Sequence, residues 1–363
     1  MSAAWIADAR ALSNYLGPLA PGGVIGLDTE FMRRDTFYAK LALVQVAAEG
    51  RCALVDPVAF DCAGGVRQAV AGRLCVMHSA SEDMDALAPL LDAEPLQLFD
   101  TQIAAAMCGL GFGLSYQRLV ALLLGTDIPK DETRSDWLRR PLSAAQLDYA
   151  EQDVAHLHEL HALLDAHLRE RNRLEWHAQD CARLARRTRR DAGDPQPQRG
   201  LRGATAWPRP KQALLRRIML WREATARRMD KPRPWLLDDP AMLSLAQQLP
   251  SSPEELFERT RGLRALRSAP RAELFELLRA PVTPDEIEET APIPPAPFGS
   301  AKAAVSEMKL AADAIALKLD LPAGLLCPRR ALEEYAVTRA WPEALGGWRR
   351  EVLEPVLAPK LPG

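Results

Sequence analysis

Asp28 and Glu30 follow the apolar run Val24 to Leu27 at a spacing of i, i+2. Side chains on a strand alternate faces, so the two carboxylates point the same way. Like charges side by side repel, and a fold keeps them at some cost unless a cation or a shared proton compensates. An exposed strand face is the plain alternative. Asp83 follows a second apolar run that ends at His78, in the first turn of a helix that Ser79 and Glu82 would open as a capping box. A carboxylate there is favoured by the helix dipole, but strand-to-helix junctions of α/β sheets also line the crevice where ligands bind. Tyr149 and Asp153 lie one helical turn apart behind a second capping-box pair, Ser143 and Gln146. They flank the apolar stripe Leu147, Ala150, Val154 and Leu157 and so stand at the rim of a core. A tyrosine packed at the core edge beside a solvated aspartate is the plain alternative.

Other chemistry-bearing residues point elsewhere. His156, His158 and His161 crowd one helix, but their spacings of two and three do not give the i, i+4 pair of a helical zinc motif, and they read as surface residues. Asp85 and Asp148 neighbour the singled-out residues in sequence, and their helical offset turns them away. Lys130 and Arg134 could contact backbone phosphates, with plain solvation as the alternative. The six cysteines are scattered with no C-x-x-C pair, which indicates neither a zinc site nor a disulfide framework.

The elements that must position these residues are legible in outline. Val24–Phe31, Leu41–Ala48 and Arg51–Pro57 are short β-prone runs with turn-length connections, which predicts an antiparallel meander. Leu74–His78 predicts a fourth strand, followed by a helix near Glu82–Leu91, and Leu96–Phe99 a fifth. A long helix begins near Ser143 and is expected to run to about Arg173, and a further helical stretch to Arg190. Strands followed by strand and helix alternation predict an α/β domain with a mixed sheet. Residues 191–210 are rich in Gly, Pro, Gln and Arg, and residues 281–300 are rich in proline, so both read as linkers. They divide the chain into a domain over 1–190, a helical set over 211–280 and a last helical set over 301–363.

At 363 residues the chain is long enough for two or three domains, and 48% hydrophobic with 26% charged residues excludes global disorder. No apolar run reaches the roughly 18 residues of a membrane span, and Asp8 and Arg10 interrupt any secretory signal, so the expectation is a cytoplasmic protein without membrane contact. The net charge of -2 conceals a division. Residues 1–153 carry 12 Lys and Arg against 20 Asp and Glu, whereas residues 186–234 carry 15 against 4. An acidic front suits cation-holding carboxylates, and a basic block suits a polyanion such as nucleic acid, with a solvated helix face as the alternative.

Leu27-Asp28-Thr29-Glu30-Phe31, His78-Ser79-Ala80-Ser81-Glu82-Asp83 and Tyr149-Ala150-Glu151-Gln152-Asp153 together resemble the motifs of the DEDD superfamily of 3′-to-5′ exonucleases, in its tyrosine-bearing branch and within it the bacterial ribonuclease D family. Phe99-Asp100-Thr101-Gln102, Ser135-Asp136-Trp137 and Arg139-Arg140-Pro141-Leu142 are also similar to that family. Trp221-Arg222-Glu223, Ala226-Arg227 and Asp230-Lys231-Pro232 resemble an HRDC domain, a helical nucleic-acid-binding module, and residues 301–363 a more diverged copy. The resemblance implies a ribonuclease H-like α/β domain followed by two all-α HRDC-like domains. It implies two divalent ions, Mg²⁺ or Mn²⁺, held by Asp28, Glu30, Asp83 and Asp153, with Asp28 bridging them and Tyr149 orienting the attacking water. Such ions bind the phosphate, activate water and stabilise the leaving 3′-oxygen. The implied partner is RNA with a 3′ end, with tRNA precursors the substrate class; no protein partner is implied. A DNA 3′-5′ exonuclease and a catalytically inactive RNA-binding scaffold are the alternatives that the motifs leave open.

Overall fold

The computed structural model of the chain describes residues 3–91, 96–129, 135–187 and 193–361. Lys130 and Arg134 lie outside the described residues, as does the sequence-predicted domain end at 190. The first half is built on one mixed sheet of six strands: β1 (Ala4–Ile6), β2 (Val24–Met32), β3 (Lys40–Ala48), β4 (Arg51–Val55), β5 (Leu74–Met77) and β6 (Gln97–Asp100), in the order β1-β4-β3-β2-β5-β6. The β2-β3-β4 meander is antiparallel, as the runs predict, while β1, β5 and β6 join it in parallel. The edge strand β1 escapes sequence reading because three residues carry no alternation to recognise.

Interleaved with these strands are α1 (Ala9–Leu16), α2 (Ala63–Val70), α3 (Ser81–Leu87), α4 (Thr101–Met107), α5 (Tyr116–Leu124), α6 (Ala144–Ala155), α7 (Leu157–Glu170) and α8 (Leu174–Arg187). One sheet face packs Ile25 and Leu27 against Leu12, Val66 and Met84 of α1, α2 and α3. The opposite face meets α4, α6 and α7 through Ala150, Val154, Leu157 and Leu160. Gly26 lies on this second face, where a methyl group would come 3.1 Å from Leu157 Cδ1 and 3.4 Å from Ala47 Cβ. Its bare Cα lets α7 approach β2, and the period of two puts Asp28 and Glu30 on the same face beyond it. The long helix expected from Ser143 breaks at His156, which ends α6 and begins α7 with φ −104° and ψ 3°.

The rest of the chain is helical: α9 (Arg209–Met229), α10 (Arg233–Leu236), α11 (Asp239–Gln247), α12 (Pro253–Arg259), α13 (Ser268–Arg279) and α14 (Pro284–Glu289), then α15 (Gly299–Lys318), α16 (Ala323–Leu326), α17 (Arg329–Thr338) and α18 (Trp348–Leu357). Helices α9, α11, α12 and α13 share a core of their own around Leu215, Ile218, Leu245, Leu256 and Leu274. The segments that read as linkers belong to it. Ile293 is buried in that core, its amide donates to Gln212 Oε1 at 2.8 Å, and buried Gln198 Nε2 donates to the Ala291 carbonyl at 2.8 Å.

The last helical set has no separate interior. Met308, Leu326, Leu332 and Leu353 continue the nuclease-side core of α4 and α7. Trp348 stacks on Trp176 of α8 with ring centroids 4.4 Å apart. The Arg349 guanidinium donates to both carboxylate oxygens of Asp180 at 2.6 and 2.8 Å, and the two side chains are only 5% and 6% exposed. Arg349 Nε donates to the Leu325 carbonyl at 2.9 Å, so the fork is fully bonded. Removing one partner of such a buried pair leaves the other charge uncompensated. Asp180→Ala is expected to lose about 3–5 kcal/mol of unfolding free energy, whereas Asp180→Leu with Arg349→Met should recover most of it; urea unfolding of the full chain checks both, and an unchanged midpoint for Asp180→Ala would contradict this account of the joint.

Candidate active site

Asp28 and Glu30 extend from the part of β2 that pairs with β3, opposite Gln45 and Leu43 in the register, with a register shift immediately after Glu30. Gln45 is fully buried and its Nε2 donates to Asp28 Oδ2 at 3.4 Å. Asp153 comes from the last turn of α6, which lies across β2, β3 and β4. The Ser143–Gln146 capping box forms at the other end of that helix and fixes its start. Its end is fixed by Tyr116 of α5, whose hydroxyl donates to the Gln152 carbonyl at 3.0 Å and accepts from the His156 amide at 3.1 Å. Asp28, Glu30 and Asp153 thereby bring carboxylate oxygens within 4.8 Å of one another.

Asp83, the fourth carboxylate singled out in the sequence, stands on α3 beside this trio and is not one of the residues whose oxygens come within 4.8 Å of one another. Its carboxylate is 8% exposed and accepts from Thr29 Oγ1 at 2.6 Å, a bond from the strand residue between Asp28 and Glu30. The capping box expected from Ser79 and Glu82 does not form. Ser79 takes φ +57°, Ala80 is the N-cap, and no side chain caps the helix. Asp100 captures the chain here instead, accepting from the Ser79 and Ala80 amides at 3.3 and 2.9 Å while capping α4 through Gln102 and Ile103 at 2.8 and 3.1 Å. One buried carboxylate thus ties the start of α3 to the end of β6, and the Phe99-Asp100-Thr101-Gln102 segment acquires a structural purpose.

Tyr149 sits one turn before Asp153, beside Trp137 at 6.0 Å between ring centroids. Arg140 explains the segment around that tryptophan: it donates to both oxygens of buried Asp56 at 2.8 and 2.6 Å, to the Trp137 carbonyl at 2.7 Å and to the Ala42 carbonyl at 2.7 Å. The remaining candidates separate from the site. Asp85 and Asp148 are exposed, and Asp85 pairs with Arg33 at 3.6 Å. The three histidines are half-buried rather than on the surface, His158 bonding the Val24 carbonyl at 3.1 Å and His161 edge-on to Phe99 at 4.6 Å. All six cysteines are free and buried.

Electrostatically the site is overloaded with negative charge. Burial, then Asp83, Asp153 and Glu30, hold the Asp28 carboxyl well above the ordinary range. Burial, then Asp153 and Asp83, push Glu30 up to about 9. Burial also raises Asp153 to about 7 and Asp83 to about 6, against the hydrogen bonds from Tyr149 and Thr29 that favour their charged forms. Burial and the carboxylates of Asp153, Glu30 and Asp28 keep the Tyr149 phenol protonated far above neutrality. Among the described residues, the charges that raise Asp28 and Glu30 are other carboxylates. A set of hard oxygen donors that repel one another in partial burial fits divalent cations.

A mixed sheet whose central strand carries D-x-E, with an aspartate on one helix and a tyrosine and aspartate on another, is the arrangement that the resemblance to the DEDD exonucleases implies. Residues 3–169 match the 3′-5′ exonuclease family, and residues 211–265 match the HRDC domain. The chain is 39% identical over 359 residues to ribonuclease D of Xanthomonas oryzae pv. oryzae, covering 98% of each chain, and 33% identical over 347 residues to ribonuclease D of Granulibacter bethesdensis, covering 90% and 85%. The crystal structure of Escherichia coli RNase D, an exoribonuclease involved in structured RNA processing, has the same fold with a TM-score of 0.81 at 24% identity over 99% of each chain. The chain belongs to the ribonuclease D family and is a 3′-5′ exoribonuclease. Among the described residues, no helix is long and apolar enough to cross a membrane.

The carboxylates raised in the folded state bind protons more tightly there than in the unfolded chain. Their favourable contribution is therefore complete below the unfolded values near 4 and is lost as pH rises through about 6, 7 and 9. In chelator, the thermal midpoint is expected to fall between about pH 5 and about pH 9. Glu30→Gln should flatten that decline, and Mg²⁺ should raise the wild-type midpoint at pH 8 by about 2–4 °C per kcal/mol of binding linkage. A midpoint independent of both pH and Mg²⁺ in scanning calorimetry would contradict the crowding described.

Proposed function

We propose that Asp28, Glu30, Asp83 and Asp153 hold two divalent ions, Mg²⁺ or Mn²⁺, and that the enzyme matures RNA 3′ ends, with tRNA precursors as the substrate class. The observation that carries the metal site is the convergence of three carboxylates within 4.8 Å, with Asp28 the one that feels all of the other three, while the substrate class rests on the family resemblance. When bound, such ions draw the scissile phosphate in, lower the pKa of a water and stabilise the leaving 3′-oxygen. Asp28, Glu30 and Asp153 would hold the ions from the strand and the helix, with Asp83, tied down by Thr29, as the further carboxylate donor.

The Tyr149 phenol keeps its proton at neutral pH, so it cannot serve as a general base; its hydroxyl, which donates to Asp153, would orient the attacking water. The first helical set, with the flanking segments around Ala204 and Ile293 that pack into its core, is the HRDC-like nucleic-acid module, and the last set, which shares the nuclease core, is its diverged copy.

Asp28→Ala is expected to abolish release of nucleotides from 5′-labelled RNA while leaving the circular dichroism spectrum unchanged, whereas Tyr149→Phe should retain activity reduced by about 10–10³-fold, in the range of a lost positioning or proton-handling group. A ladder shortening from the 3′ terminus only with Mg²⁺ or Mn²⁺ supports the reading. Normal turnover by Asp28→Ala would overturn the site assignment, and equal turnover of an unrelated RNA and a tRNA precursor with a 3′ extension would overturn the substrate class.

A further inference from the structure

The first helical set touches the nuclease at one unusual place. The β2–β3 hairpin turns over residues 33–39, and its tip is held by the C-terminus of α9 rather than by the nuclease itself. Asp230 ends α9 in the left-handed conformation, at φ 49° and ψ 53°, and its Oδ1 accepts from the backbone amides of both Phe37 and Tyr38 at 2.9 and 3.0 Å. Lys231 Nζ donates to the Asp35 carbonyl at 3.1 Å. Two guanidinium groups lie over the Phe37 ring, Arg227 at 4.9 Å and Arg233 at 4.6 Å, and Glu223 binds both. Phe37 also packs into the small apolar cluster of Ala226, Leu236 and Ala265, so a nuclease residue completes an interior of the helical set.

This grip matters because of what the hairpin carries. Strand β2 pairs with β5 only from Val24 to Gly26, so Asp28 and Glu30 stand on a stretch whose sole strand partner is β3. Two-stranded ribbons are marginal unless something packs on them; α6 and α3 pack on β2 and β3, and α9 holds the tip beyond. The register shift between Glu30 and Phe31 adds a point where the ribbon can bend. Within the nuclease, the described hold on the loop is Arg33 with Asp85 at 3.6 Å, a pair more than a third exposed on each side and so weak.

Resting on the metal-site reading above, we propose that Asp230 is a positioning residue for the nuclease: by fixing the hairpin tip it sets the place of Glu30 and Asp28, so that the helical module completes the cation site as well as binding nucleic acid. The test uses two variants of the full chain. Asp230→Gly keeps the left-handed backbone and removes the carboxylate, while Asp230→Asn keeps an oxygen able to accept from both amides.

On a 5′-labelled trinucleotide, Asp230→Gly should lower kcat about 10-fold with KM within twofold, and calorimetric titration of the metal-free protein should show Mn²⁺ binding weakened by a similar factor. Hydrogen exchange should rise in the peptide over 31–40. Asp230→Asn should restore all three to within about threefold of the wild type. Wild-type kcat and wild-type Mn²⁺ affinity in a folded Asp230→Gly protein would overturn the proposal, as would a defect confined to KM on long RNA, which would make the module a tether alone. Loss of thermal stability in Asp230→Asn equal to that in Asp230→Gly, without rescue of kcat, would also overturn it. An inactive wild type that binds no Mn²⁺ would sink the metal-site reading instead.

Discussion

Four carboxylates that repel one another must be kept together, and most of the fold around them exists to do so. Two unit charges about 4.8 Å apart cost roughly 3.5 kcal/mol at an effective dielectric near 20, and Asp28, Glu30 and Asp153 present three such pairs at that distance or less. A domain with about 5–15 kcal/mol of net stability cannot hold this arrangement with a single element. The load is divided: a strand supplies Asp28 and Glu30, the last turn of α6 supplies Asp153, and α3 supplies Asp83. Each support is itself over-determined, by Gln45 and Thr29 beneath the strand and helix aspartates, by Tyr116 at the α6–α7 junction, and by Asp100 at the start of α3. The protons that the metal-free site retains and the cations that the family requires are two answers to the same repulsion.

What the sequence makes legible in this site is its local geometry. The period of two that aligns Asp28 with Glu30 and the turn that aligns Tyr149 with Asp153 are properties of isolated elements, as is the Ser143–Gln146 box. The supports are long-range and leave little trace. Asp100 accepts the Ser79 amide that the Glu82 carboxylate of a capping box would have taken, and Ser79 in the left-handed region no longer presents its hydroxyl as a cap. The break at His156 is invisible to periodicity, since Val154, Leu157 and Leu160 continue the same apolar stripe across it; only the Tyr116 hydroxyl, 40 residues away in sequence from His156, marks the spot. A strand-ending aspartate followed by Thr and Gln is the one signal that points to the Asp100 cap.

Charge counts mislead in a different way. The basic block of residues 186–234 reads as a surface for a polyanion, yet many of its arginines are paired with carboxylates of the same chain. Arg217 binds Glu286, Arg222 binds Asp239 at 2.9 Å, Arg228 binds Glu273 at 2.7 Å, and Glu223 binds both Arg227 and Arg233. The acidic partners of Arg217, Arg228 and Arg222 come from later in the chain, so a window count over the block alone cannot see them. Proline content misleads similarly: the segment around Ile293 looks like a linker because it lacks periodicity, but a single buried isoleucine and its amide bond to Gln212 are enough to fasten it.

The three parts of the chain close on one another through joints of unequal character. The last helical set and the nuclease share a continuous apolar interior sealed by the Asp180–Arg349 pair, so neither can leave without exposing core and stranding a charge. The first and last helical sets meet through Arg202 with Glu333 at 2.7 Å and Arg199 with Glu334 at 3.5 Å, pairs with substantial exposure on at least one side. Such contacts are worth about 0–1 kcal/mol each and weaken in salt. The hairpin joint lies between these extremes, polar in its hydrogen bonds to Asp230 but with Phe37 inserted in an apolar cluster. Separation of the parts therefore begins at the Arg202–Glu333 face. The nuclease and the last set remain one body, and the first set stays attached to the strand that carries Asp28 and Glu30 until its grip on Phe37 fails.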